Sequence, residues 1–154
     1  MKRLTYLMMI TVFSLSFFSC SDDEWEKDNE DAFNKIKSNP DYTRLEVDGG
    51  SIYYKVIESG MGEVNPGKTN KVRVRYTGSF YDGEVFDSSG TSAREFVVSE
   101  LIVGFSVALQ NMVVGDKWEV WIPYYFGYGT EKVGSIPGYS TLIFEIELLS
   151  IVGK

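Results

Sequence analysis

Between Val72 and Thr77 the chain alternates strictly, with Val72, Val74 and Tyr76 set against Arg73, Arg75 and Thr77. A period of two belongs to a half-buried β-strand, whose successive side chains leave opposite faces. The same period recurs in Ser51–Glu58 (Ile52, Tyr54, Val56), in Lys117–Pro123 (Trp118, Val120, Ile122) and in Thr141–Ile151 (Leu142, Phe144, Ile146, Leu148). After the turn-forming Tyr81–Asp82–Gly83, Val85 and Phe86 predict a short returning strand. Phe105, Ala108, Leu109 and Met112 break the rule: they fall at i, i+3, i+4 and i+7, the apolar stripe of a helix. Gly104 and Gly115 bound it. A second short helix is predicted over Asp31–Lys37, with Phe33 and Ile36 on one face and Asn39-Pro40 ending it. Trp118 and Trp121, three apart on a strand, point to opposite faces, one to the core and one to the surface as a candidate partner contact. Strands dominate and one helix is available to cover their apolar side. The pattern predicts an α+β domain, an antiparallel sheet of about five strands curled around one short helix.

The N-terminus follows different rules. Lys2 and Arg3 precede the uncharged run Leu4–Phe18, and Ser19-Cys20 follow, the layout of a secretory signal peptide. The run falls short of the ~20 residues that a membrane-spanning helix needs. Next, Ser21–Asp31 carries seven acids against Lys27 alone and reads as a self-repelling, extended spacer. Three parts result: a signal peptide over residues 1–19, an acidic leader over 20–45 holding the short helix, and one folded domain over 46–154.

Composition narrows the chemistry. The formal charge of −7 falls to −9 when residues 1–19 leave with two cations, so repulsion opposes binding of nucleic acid. The chain holds no histidine, which excludes a Ser-His-Asp triad and a histidine-ligated zinc. A single cysteine, Cys20, excludes an intrachain disulfide and a cysteine-rich metal site. The acids lack the spacing of a calcium loop, and Gly127-Tyr128-Gly129 lacks the third glycine of a dinucleotide fingerprint. No metal and no cofactor is expected.

Three segments taken together are more specific. They are VRVRYTGSFYDGEVFDSS (72–89), LIVGFSVALQNMVVGD (101–116) and IPYYFGYG (122–129). Their order and spacing resemble those of FKBP-type peptidyl-prolyl cis-trans isomerases, over roughly residues 51–151. The resemblance implies the FKBP fold and isomerisation of Xaa-Pro bonds in proline-containing polypeptide segments, a reaction that consumes no cofactor. It also implies a pocket walled by Tyr76, Phe86, Leu101, Phe105, Ile136 and Phe144, with Asp87, Tyr128 and Ile102 as its catalytic positions. Asp87 would face the twisting carbonyl; the Ile102 N–H and the Tyr128 hydroxyl would hold the peptide. Phe96 would either line the pocket or belong to the adjacent core strand. Phe105 stands where the family usually has tryptophan, and Tyr124-Tyr125-Phe126 replaces the usual residues before Tyr128.

Singly, these residues also read as core aromatics, buried tyrosines and a turn aspartate, and a non-catalytic proline-peptide-binding or chaperone-like surface lipoprotein of the same fold is the alternative. Cys20, directly after the apolar run, resembles the lipidated cysteine of bacterial lipoproteins. Ser21-Asp22-Asp23-Glu24 resembles the acidic export signal of some surface lipoproteins. These imply a lipid anchor at Cys20 in the outer membrane of a bacterial envelope, with surface exposure an option, and a role in folding exported proteins.

Overall fold

The structure, a computed structural model, describes residues 20–153, so the signal-peptide reading of residues 1–19 lies outside the described residues. Helix α1 (Cys20–Lys37) leads into strands β1 (Thr43–Val47), β2 (Gly50–Glu58), β3 (Lys71–Ser79), β4 (Val85–Ser88) and β5 (Arg94–Val97). Helix α2 (Val103–Asn111), β6 (Lys117–Ile122) and β7 (Leu142–Ile151) complete the order. All pairings are antiparallel, and the sheet runs β1-β2-β6-β7-β3-β4, with β5 also pairing β3.

The five strands expected from periodicity are present, and their alternation becomes burial. Val72, Val74, Val120, Ile122, Leu142, Ile146 and Leu148 are fully buried on the face that α2 covers. Arg73, Arg75, Glu145 and Glu147 lie on the other face, where Arg75 pairs Glu147 at 2.8 Å and Lys117 pairs Glu145 at 2.7 Å. Helix α2 supplies Phe105, Ala108 and Leu109, with Met112 at its C-terminal cap, to the same core. It sits hard against β6: a Cβ on Gly104 would come within 2.4 Å of Ile122 Cγ2, so the helix can approach only where a glycine stands.

Two short strands exceed the expected five. β1 is mostly exposed and β5 spans four residues, so neither presents a sustained alternation. The larger correction concerns α1. The acidic leader is not an extended spacer followed by a short helix over 31–37; it is helical from Cys20 to Lys37. Trp25, Asn29, Phe33 and Ile36 recur at i, i+4, i+8 and i+11 and form its inner stripe. Asn29, 1% exposed, accepts a bond from the Thr141 N–H at 2.7 Å, and Thr141 Oγ1 donates to the Asn29 carbonyl at 3.1 Å. Trp25 meets Phe80 edge-on at 5.4 Å, and Phe33 meets Tyr53 at 5.6 Å. Asp23, Glu24 and Asp31 face outward, where Lys27 offsets Asp31, whereas Asp28 accepts the Tyr81 hydroxyl at 3.2 Å.

Trp118 is core, as one tryptophan of the pair had to be. Trp121 does point to the other face, yet it is not a free surface aromatic. It is half-buried in a second cluster with Phe33, Ile36 and Tyr53, edge-on to Tyr42, and donates to Glu119 Oε1 at 2.8 Å. Helix α1 therefore covers a sheet face that a five-stranded, one-helix domain would have left open.

Candidate functional site

A cavity of about 220 Å³ opens between β4, the start of α2 and the segment after β6. Tyr76 enters from β3, Phe86 and Asp87 from β4, and Phe144 from β7. Leu101, Ile102 and Phe105 enter where the chain turns into α2, and Tyr128 closes the far side. Phe96 does both things between which the sequence left a choice: on β5 it pairs Val72 of β3, and it also lines the cavity. Ile136 is placed differently. It is buried in the main core, bridged to Val133, and is not on the cavity wall.

The rings pack edge to face, which favours aromatic quadrupoles over a flat stack. Phe105 meets Phe144 at 5.0 Å and 77°, Phe86 meets Phe144 at 5.5 Å and 88°, and Tyr76 meets Phe105 at 5.9 Å and 89°. Gly78 makes this possible: a Cβ there would stand 2.7 Å from both Phe86 Cζ and Phe144 Cε1. β3 thus carries a glycine where its two neighbouring strands bring rings together.

The polar edge is a small network. Tyr76 donates its hydroxyl proton to Asp87 Oδ2 at 2.5 Å. Arg94 Nη1 donates to the Tyr76 oxygen at 3.0 Å, Nη2 donates to the Ser88 carbonyl at 3.0 Å, and Nη1 lies 3.7 Å from Asp87 Oδ1. Its guanidinium also sits 5.6 Å from the centre of the Tyr76 ring. Burial, and then the hydrogen bond to Asp87, pushes the Tyr76 phenol up to about 12. Burial, followed by the Asp87 charge, also raises that of Tyr128. Both phenols therefore stay protonated donors at neutral pH.

Two donors on the cavity wall find no acceptor among the described residues. The Tyr128 hydroxyl makes no hydrogen bond there, and its side chain is 38% exposed. The Ile102 N–H, just before α2, takes no acceptor either, while its carbonyl receives the Ser106 N–H at 3.0 Å. An apolar hollow with a donor on two sides and a carboxylate at its edge suits a compact apolar group flanked by peptide carbonyls.

Sequence reading missed two members of the wall's surroundings. Arg94 lies on β5, a strand whose four residues give no periodic signal, so nothing in the sequence aims it at Tyr76. Glu100 lines the cavity from the turn before α2, and it too carries no motif.

The architecture and cavity define an α+β domain of the prolyl-isomerase type. The family profile described as FKBP-type peptidyl-prolyl cis-trans isomerase matches residues 62–149, more than half of the chain. The chain belongs to this family. It is 47% identical over 104 residues to the FKBP-type 22 kDa peptidyl-prolyl cis-trans isomerase of Escherichia coli K12, a match covering 66% of this chain and 50% of the relative. It is 40% identical over 131 residues to the outer membrane protein MIP of Legionella longbeachae, covering 83% of this chain and 55% of that protein. The chain thus spans about half the length of these curated relatives. Among solved structures, a peptidyl-prolyl cis-trans isomerase from Pseudomonas syringae pv. tomato superposes with a TM-score of 0.75 at 35% identity, over 84% of this chain and 94% of the other. FkpA from Escherichia coli gives 0.76 at 31% identity, over 85% and 61%.

Proposed function

We propose that this protein catalyses cis-trans isomerisation of Xaa-Pro bonds in exported polypeptides, and that it does so by desolvating the bond in the ring-lined cavity. The uncatalysed rotation faces a barrier of ~18–20 kcal/mol because amide resonance must be broken. In the planar ground state the amide dipole is large and well hydrated. In the twisted state resonance is lost and the charge separation falls. A wall of Phe86, Phe105, Phe144 and Tyr76 withholds water from the ground state more than from the twisted state. Lowering the barrier by about 6 kcal/mol corresponds to an acceleration on the order of 10⁴.

The observation that carries this reading is the pairing of that apolar hollow with the open donors at Ile102 and Tyr128 and the carboxylate of Asp87. The pyrrolidine ring fills the hollow, the Ile102 N–H and the Tyr128 hydroxyl each receive a flanking carbonyl, and Asp87 faces the carbonyl that turns. No covalent bond changes, so a chain without histidine and with one cysteine loses nothing essential. A coupled isomerisation assay on short Xaa-Pro peptides is expected to show turnover. Tight peptide binding without turnover would replace this reading with that of a proline-binding module.

We also place the protein in the bacterial envelope, held by lipid on Cys20. The signal-like residues 1–19 support this, as does similarity to a protein named for the outer membrane. No helix of the described residues is long and apolar enough to cross a membrane. Mass analysis of a membrane fraction is expected to find an acylated N-terminus at Cys20; an intact Met1 would contradict the anchor.

A further inference from the structure

The seam between α1 and the loop after β6 is larger than the proline cavity. Near the start of α1 it holds a hollow of about 500 Å³ walled by Asp22, Trp25, Thr130, Lys132, Pro137 and Tyr139. One turn further along, a second hollow of about 150 Å³ lies between Glu26, Glu30 and Phe33 on the helix and Tyr124, Tyr125 and Tyr139 on the loop. Tyr139 is common to both, so the two hollows adjoin in a groove along α1. Tyr139 is also the one non-glycine among the described residues with a left-handed backbone, at φ 60°. Bulky side chains rarely adopt that conformation, and where they do, function is a common reason.

Charge and aromatic surface divide across this groove. Asp22, Glu26 and Glu30 recur every four residues and so stand on one helix face. None of the three has an ion-pair partner among the described residues, in contrast to Asp31, which pairs Lys27. Opposite Glu26 and Glu30 stand Tyr124, Tyr125 and Tyr139, whose ring faces attract cations, while opposite Asp22 the wall is Thr130, Lys132, Pro137 and Tyr139. Lys132 and Lys37 stand at the two ends, and Lys37 is turned onto the Phe33 ring and Asn34. The middle of the groove therefore offers carboxylates on one side and π-faces on the other.

The groove lies beside the proline cavity, with which it shares no wall residue. Tyr128 is on the wall of the cavity and Thr130 on the wall of the groove, two residues apart, no more than about 8 Å of backbone. We infer that the groove along α1 binds the stretch of client polypeptide flanking the proline, in extended form and with preference for lysine and arginine. This rests on the prolyl-isomerase reading of the cavity. From Asp22 to Phe33 the helix rises about 16 Å, so cavity and groove together take about eight extended residues.

The test compares a short blocked Xaa-Pro peptide, confined to the cavity, with peptides extended by about eight residues on either side of the proline. One extended set carries lysines and a matched set carries glutamates. Lysine extension on one side is expected to tighten binding about tenfold relative to the short peptide, and glutamate extension to give no gain. The double variant E26K/E30K is expected to abolish most of that gain while leaving turnover of the short peptide within about twofold. Tyr139→Asn, which tolerates the left-handed backbone but removes the ring, is expected to do the same. Equal affinity for short and lysine-extended peptides, with normal turnover, would overturn the groove and leave the isomerase reading intact. Equal gains from lysine and glutamate would also overturn it. Absent short-peptide turnover with a retained, Glu26- and Glu30-dependent gain would overturn the isomerase reading and leave a polypeptide-binding groove.

Discussion

Replacing Asp87 with valine is expected to lower kcat/KM on a short Xaa-Pro peptide by about 10–100-fold, the equivalent of one charged hydrogen bond. The two side chains are close in volume, so the cavity keeps its shape while losing the carboxylate that pairs with Tyr76. That carboxylate now accepts the Tyr76 proton at 2.5 Å, and its charge helps raise the Tyr128 phenol, with Arg94 3.7 Å away. Its loss leaves the Tyr76 proton without its acceptor and the twisting carbonyl without the charge opposite it. Because Asp87 is assigned to the twisted state rather than to ground-state holding, the loss should appear chiefly in kcat. Valine leaves the aromatic walls in place and water in the open cavity can take the Tyr76 proton, so the stability loss should stay at about 1 kcal/mol. A variant with unchanged kcat would remove Asp87 from the reaction and leave it as an anchor for Tyr76 alone.

Asn29→Ala is expected to destabilise the fold by about 2–3 kcal/mol, the cost of a buried amide donor left unpaired together with lost packing. The wild-type side chain is buried in the seam between α1 and the start of β7, where it holds the Thr141 N–H and donates to the Trp25 carbonyl at 2.8 Å. Alanine cannot reach Thr141, and water has no path to a residue that is 2% exposed. Chemical denaturation reads the loss as a lower midpoint at an unchanged slope. Hydrogen exchange at the Thr141 amide should quicken with it. An unchanged midpoint would mean that α1 does not dock as described.

This helix is also where sequence reading failed, for a definite physical reason. The β-strands and α2 were legible because their buried positions are apolar, and period two or 3.6 then stands out. The inner stripe of α1 is Trp25, Asn29, Phe33 and Ile36. An asparagine in its middle and seven acids around it hide the repeat, so the charge reads as a spacer. Only the partner, Thr141 more than a hundred residues away, makes Asn29 an inside residue, and nothing local announces it. The same holds for β5. Arg94 reaches Tyr76 only because β5 pairs β3, a contact that four residues cannot advertise.

The cavity was more legible than its support. Tyr76, Phe86, Asp87, Leu101, Ile102, Phe105, Tyr128 and Phe144 come together as the family resemblance implied. Each sits in or next to a motif whose spacing the sequence displays. Ile136 is the exception. The bridge between Val133 and Ile136 turns it inward to the core, and the loop's fold could not be read from its glycines and proline.

The most direct test is nuclear magnetic resonance on one Xaa-Pro peptide mixed with the protein. It follows cis-trans exchange while recording contacts from the pyrrolidine protons. Exchange should accelerate, and the ring protons of Phe105 and Phe144 should be close to the pyrrolidine. Unaccelerated exchange, or a proline seated away from those rings, would contradict the account.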